Sequence, residues 1–314
     1  MKTLEEVKQY YDEVLLPRLE VLEAERKKAL RKIIVAGSVV MPVFALISVI
    51  AQHIFPLIIG AVIWAWFSFI FTKEYVSNFK KGIIEKIVKC IDENLDYSQH
   101  RCISEPVFLS SRIFRHRIDR YKGDDHVSGV LDKTKVEFSE VHAEYVTRDS
   151  KGRNTYHTIF KGLFFVADFN KAFHGVTTVL PDTAEKLLGH IGTVLQSMNR
   201  TRGKLIKLED PEFEKLFAVY GNDQIEARYI LSTSLMRRIT DFQKKTKERI
   251  YMSFAGSKIF IAVSYARDLF EPRIFRTLLD FAPIKQYFED LQMAVGIADD
   301  LNLNTRIWSK PGNA

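Results

Sequence analysis

The sequence predicts an α+β protein in which an N-terminal transmembrane helical hairpin is followed by a cytoplasmic α+β domain built on antiparallel hairpins. Three observations predict it. Residues 33–72 form a run of 40 positions without Asp, Glu, Lys or Arg. Beyond Asp96 the apolar spacing changes from the helical repeat to strict alternation. Strands and helices then come in blocks, the order expected of α+β domains rather than of doubly wound sheets.

Residues 1–32 carry Leu4, Val7, Tyr11 and Val14 and, past Pro17, Leu19, Leu22 and Ala29 at helical spacing, continuing to Ile33. They read as an amphipathic arm with an offset at Pro17. The charge-free run is about twice as long as the roughly 20 residues that one crossing needs. Gln52, His53 and Pro56 interrupt it, so residues 33–50 cross outward, 51–55 turn and 56–71 return. Arg18, Arg26, Lys27, Lys28, Arg31 and Lys32 precede the hairpin, and Lys73, Lys80, Lys81 and Lys86 follow it. Cations stay preferentially on the cytoplasmic side, so both termini are expected there. A secretory signal is a poor alternative, because its apolar core spans only about 7–15 residues near the N-terminus. In the juxtamembrane segment 73–98, Ile83, Ile84, Ile87, Val88 and Ile91 mark one face of a second charged helix. It either pairs with the arm as a stalk or packs on its own domain.

Residues 99–314 make up the remaining domain. Segments 136–146 and 156–167 flank the polar loop 149–154 and read as a β-hairpin. A strand is expected at 176–180, and a helix capped by Asp182 or Thr183 runs to about residue 198. There follow a strand at 205–208, a helix at 211–219, a long helix at 223–247, a hairpin of 250–255 with 258–265 around Gly256-Ser257, and a last helix at 284–301.

The chain resembles the bacterial domain-of-unknown-function family 3137. The resemblance rests on Thr158-Ile159-Phe160-Lys161-Gly162-Leu163-Phe164-Phe165, on the stretch from Phe173 that ends Val179-Leu180-Pro181-Asp182, and most of all on Leu208-Glu209-Asp210-Pro211-Glu212-Phe213-Glu214-Lys215-Leu216-Phe217-Ala218-Val219-Tyr220. The last string continues into Asp223-Gln224-Ile225-Glu226-Ala227-Arg228-Tyr229-Ile230-Leu231. It takes in residues from about 10 to 305. The resemblance implies a membrane-anchored bacterial protein with a LemA-type membrane protein as a partner; it supplies no catalytic residues.

Direct search for chemistry is mostly negative. The net charge is +7, of which the segment after residue 72 contributes about +6, enough to draw that domain toward anionic lipid. Nucleic acid is the rival polyanion, yet no supporting motif accompanies the charge, and no nucleic acid is expected as partner. Cys90 and Cys102 match no CxxC pattern and are expected as free thiols. Gly256-Ser257-Lys258 lacks the upstream glycine of a phosphate loop and sits in a turn. The eight histidines form no HExxH; His142 and His157 flank one hairpin loop, where solvated strand histidines are commoner than a metal site. No GxSxG occurs, and no cofactor or metal is expected.

Four groups of side chains remain. Asp223, Glu226 and Arg228 form a polar cluster on a helix: two carboxylates for acid–base or cation chemistry, or a helix cap with Arg228 paired to Glu212 or Glu214. Arg112, Arg115, Arg117, Arg120 and Lys122, interleaved with Ile113, Phe114, Ile118 and Tyr121, fit an amphipathic helix on lipid and equally a solvated helix packed on the sheet. Lys244, Lys245, Lys247 and Arg249 cluster near a helix C-terminus, where cations complement the dipole. Within the bilayer, Trp64 and Phe67 share a face, while Ala61 and Ala65 offer a small-xxx-small approach on another. With His53 the one ionisable group in the run, a charge-lined ion path is disfavoured, which leaves a pore lined by Ser38, Ser48 and Ser68 as a third reading. The first reading is a scaffold or adaptor of the bacterial inner membrane that binds another membrane protein or itself. An enzyme centred on Asp223, Glu226 and Arg228 is the second.

Overall fold

The computed structural model describes residues 3–169, 172–182, 203–301 and 303. The chain divides into two compact units, Met1–Ile91 with Phe270–Asp290, and Asp92–Leu269 with Leu291–Ala314.

The first unit opens on α1 (Leu4–Tyr10), started by a capping box in which Thr3 and Glu6 each accept from the other's backbone N–H. A π turn, Tyr11–Leu15, leads into the 36-residue α2 (Leu16–Ala51). The wider turn holds one more residue, so the buried stripe runs Val7, Tyr11, Leu15, Leu19, Leu22 and leaves Val14 and Leu4 exposed. The offset expected at Pro17 thus lies just before it, and Pro17 itself is the second residue of α2. Gln52 ends α2 in the left-handed conformation, φ 54°, and α3 (Phe55–Phe79) returns.

α2 and α3 touch closely where glycines permit. A Cβ on Gly37 would lie 2.7 Å from Trp64 Nε1, and one on Gly60 would lie 2.6 Å from Phe44 Cβ. α3 continues through a second π turn, Lys80–Ile84, into α4 (Glu85–Ile91). The result is two continuous rods of 48 and 37 residues, each long and apolar enough to cross a membrane. Beyond the apolar part the rods still pair: Asn78 Nδ2 donates to Glu25 Oε2 at 2.9 Å, and Tyr10 OH donates to the Lys86 carbonyl at 3.1 Å.

The second unit is a nine-stranded sheet in the order β1-β2-β3-β4-β9-β8-β5-β7-β6, antiparallel at every pairing. The strands are β1 (Leu95–Ser98), β2 (Arg120–Leu131), β3 (Thr134–Arg148), β4 (Asn154–Asp168), β5 (Val176–Pro181), β6 (Lys204–Ile206), β7 (Phe217–Gly221), β8 (Ile250–Ala255) and β9 (Lys258–Ser264). α5 (Glu105–Ser110) lays Phe108 on a core of Val141, Phe160, Phe164 and Phe260. The later helices of this unit are α6 (Pro211–Leu216), α7 (Gln224–Ile230) and α8 (Thr233–Thr246); a last helix, α9 (Phe281–Asp300), has its first ten residues in the first unit and its last ten in the second.

Three expectations are corrected. The helix expected at 211–219 stops at Leu216, and Phe217–Gly221 becomes a strand between β5 and β6 with all five residues buried. Five consecutive buried residues suit a strand covered on both faces, and a short apolar run cannot announce that by periodicity. The helix expected at 223–247 is two helices, because Leu231 leaves helical geometry and Ser232 caps a new one by accepting from Leu235 N. The basic stretch from Arg112 to Lys122 is not a helix: residues 112–119 are irregular after α5 ends, Arg112 has φ 56°, and Arg120 opens β2. The helix expected to run to about residue 198 lies outside the described residues.

Candidate functional site

In the first unit, sequence reasoning had counted Arg26 and Lys80 only as flanking cations and did not consider Glu23. Glu23 and Arg26, one turn apart on α2, are buried and form a two-pronged ion pair at 2.7 and 2.8 Å. The Arg26 guanidinium holds the Glu23 carboxyl below the usual carboxylate range. Their remaining valences go to the strap 270–290: Arg26 Nη1 donates to the Ile274 carbonyl at 2.7 Å, and Leu278 N donates to Glu23 Oε2 at 3.0 Å. Buried Lys80 reaches Glu271 at 2.6 Å. Further down, Tyr11 OH donates to the Leu279 carbonyl at 2.9 Å, and the Tyr11 ring meets Phe281 edge-on at 5.1 Å. No spacing rule links residue 23 to residue 278, so nothing in the sequence could reveal this clamp.

In the second unit, Glu140 on β3 is a strongly perturbed carboxyl. Burial, with the charges of Asp125, Asp124 and Asp268 added, pushes it up to about 8, although Leu269 N donates to it. Asp124 faces Glu140 across the β2–β3 ladder, and the register slips between Asp124 and Val127. The slip puts Asp125 at φ 55° and buries it as an acceptor for Tyr97 OH. Gly123 lets this corner close, since a Cβ there would lie 2.9 Å from Cys102 Cβ. Burial and the Asp124 charge raise the Cys102 thiol. A carboxyl held well above its ordinary range beside other carboxyl groups is suited to proton transfer. The Gly123-Asp124-Asp125 step was the signal that could have found it.

The expected residues are brought together only in part. Asp223 caps α7, accepting from Ile225 N at 2.8 Å and Glu226 N at 3.1 Å. Glu226 ties down the start of β5, accepting from His174 N at 2.9 Å and Gly175 N at 2.8 Å. Arg228 donates to the Lys207 carbonyl at 3.1 Å. The partners weighed for Arg228 are otherwise engaged: Glu212 with Lys244 at 2.5 Å, Glu214 with Leu208 N at 2.8 Å. On the same helix Ile225 and Tyr229 are 82% and 49% exposed. A cavity of about 50 Å³ lies beside β6 and β7, lined in part by Lys207, Glu214 and Val219.

The basic stretch is dispersed. Arg117 meets Asp119 at 3.2 Å, Arg120 meets Glu144 at 3.7 Å and stacks over Tyr156, and Lys122 is exposed opposite His142. Burial and the Arg112 charge pull the Arg115 guanidinium down, and its Nε has no partner among the described residues. His142 and His157 go separate ways: His142 Nε2 lies 3.3 Å from Thr158 Oγ1, and His157 Nε2 lies 2.8 Å from Thr147 Oγ1. Neither Cys90 nor Cys102 forms a disulfide. Lys245 pairs with Asp300 at 2.8 Å. Within the spans, Trp64 Nε1 donates to the Ile33 carbonyl at 3.0 Å and packs on α2, Phe67 stacks with Phe71, and Ala61 and Ala65 are exposed.

Residues 158–303 match a family described as "Protein of unknown function (DUF3137)". The match begins within β4 and is narrower than the stretch from about 10 to 305 over which the resemblance was expected. No curated protein matches the chain. Among solved structures the chain is similar to the mycobacterial trehalose monomycolate transport factor A, TtfA, at 12% identity and a TM-score of 0.32, covering 67% of this chain and 92% of that one. A likeness of that size bears on neither fold nor function.

Proposed function

From the premise that residues 158–303 belong to the family of unknown function DUF3137, we propose that the chain is a scaffold or adaptor of the bacterial inner membrane, both termini cytoplasmic. Its partner would be another membrane protein or a second copy of itself. Anchoring is supported by the two helices. In the most apolar 18-residue window of each, only 6% is buried, whereas the core helix of a soluble protein would be mostly covered.

The single observation that carries the adaptor reading is the arrangement of α7. Asp223, Glu226 and Arg228 each hold backbone groups of the same unit, while Ile225 and Tyr229 are exposed one turn apart. A reacting site would show the reverse. The test is mass analysis of the complex extracted in nanodiscs, with wild type beside Ile225→Ser/Tyr229→Ser. A stoichiometric second protein or a defined self-assembly, lost in the variant while melting is unchanged, supports the reading. A wild-type monomer with no partner overturns it.

One observation favours a second reading as an enzyme, the raised Glu140 beside Asp124 and Asp125. It requires that Glu140→Gln abolish a cellular phenotype while leaving folding and partner recovery intact.

A further inference from the structure

Along the strap, the hydrogen bonds trace a climb and a descent beside the hairpin. Glu271 meets Lys80, the Ile274 carbonyl meets Arg26, Leu278 N meets Glu23 and the Leu279 carbonyl meets Tyr11. Arg26 is the membrane-proximal end of that series on α2. It lies seven residues before Ile33, or about 10 Å at 1.5 Å per residue. The strap therefore has an apex there, a turn closed by Arg276 N donating to the Arg273 carbonyl at 3.3 Å. At its tip Phe275 is 74% exposed, with Arg273 and Arg276 exposed on either side. On α2, Lys27, Lys28, Arg31 and Lys32 are exposed over the same stretch.

A lone exposed phenylalanine needs no explanation in general. This one is held by a buried ion pair at a fixed height below the charge-free run, and Arg273 and Arg276 flank it in the same turn. The headgroup layer adds about 5–7 Å on each side of the hydrocarbon core, so the level of Arg26 lies just outside it and a long side chain at the apex is what reaches it. Resting on the membrane-anchoring reading above, we infer that the Arg273–Arg276 turn is an interfacial finger. Phe275 enters the headgroup boundary of the leaflet that receives Ile33, and Arg273 and Arg276 bind phosphates of anionic phospholipid. The occupant is the lipid surface, because the apex is tied to the very helix that continues into the span.

The test uses the full chain with Cys90→Ser and Cys102→Ala, spin-labelled at Phe275→Cys in nanodiscs of phosphatidylcholine with and without phosphatidylglycerol. Collision with oxygen reports lipid, and collision with a water-soluble nickel chelate reports solvent. Val39→Cys, exposed in the span, and Lys151→Cys, exposed in the β3–β4 loop, are the two references. The expected result is an oxygen-to-nickel ratio at 275 several-fold above that at 151, higher with phosphatidylglycerol and reduced by adding Arg273→Gln and Arg276→Gln. A ratio equal to that at 151 while 39 reads as lipid overturns the finger and leaves the anchor standing. Protection from nickel without a gain in oxygen means protein covers the turn and also overturns it. An aqueous signal at 39 itself overturns the anchoring reading, and the finger with it.

Discussion

Glu140 and Glu23 are both sequestered glutamates, and their surroundings push them in opposite directions. Glu140 is held above its ordinary value by burial among aspartates, so the folded state keeps a proton that the unfolded chain releases. Stability should fall as pH rises from about 5 to about 8, by up to about 1.4 kcal/mol per pH unit, and then level off. Glu140→Gln should flatten that fall and raise the melting temperature at pH 8; a variant with the wild-type profile would mean Glu140 ionises normally. Glu23 is held low by Arg26, so its contribution is complete above the ordinary carboxylate range and lost as pH falls through that range. Arg26→Ala leaves Glu23 buried and uncompensated and should cost about 3–5 kcal/mol, read as loss of the native melt. On α7, Asp223→Ala should cost about 1 kcal/mol as a lost cap, and Glu226→Ala somewhat more, because two backbone donors lose their acceptor.

At the scale of elements, close approach decides the packing in both units. Gly162 on β4 has φ 147°, and a Cβ there would lie 2.1 Å from the Val263 carbonyl oxygen of β9. Gly162→Ala should therefore destabilise the central β4–β9 pairing by more than about 2 kcal/mol, seen as a lower denaturation midpoint. In the hairpin, Gly60→Leu should separate the spans at Phe44, while Ala61→Leu on the exposed face should leave them paired. Crosslinking between cysteines placed on the two spans would read that difference. Long periodic elements were legible in advance: both spans, the β3–β4 hairpin and the β8–β9 hairpin lie where their apolar spacing put them. Short ones were not. β7 and α6 fall in one expected helix at 211–219, and only the neighbouring strands β5 and β6 make its second half a strand.

Over the whole molecule, the sheet order joins distant sequence. The β8–β9 hairpin is inserted between β4 and β5, so closing the sheet requires loops of nearly a hundred residues to form before the centre is paired. Folding of this unit should be slow compared with helical domains of similar size. On the proposed topology, His53→Cys should react with an impermeant thiol reagent added outside intact cells; reaction instead at an introduced C-terminal cysteine would reverse the proposed orientation.

The sequence by itself determined what depends on neighbours in the chain: a charge-free hairpin, its flanking cations, the period-two strands and the Asp223 cap. Only the tertiary structure decided which polar groups are spent and which are free. Glu226 reaches back 51 residues to Gly175, Glu23 reaches forward 255 residues to Leu278, and Glu140 is pushed up because folding buries it, with Asp125 and Asp124 of β2 adding their charges. These contacts pair residues with no common period, and a carboxylate's chemistry is set by desolvation and by the charges that folding places beside it.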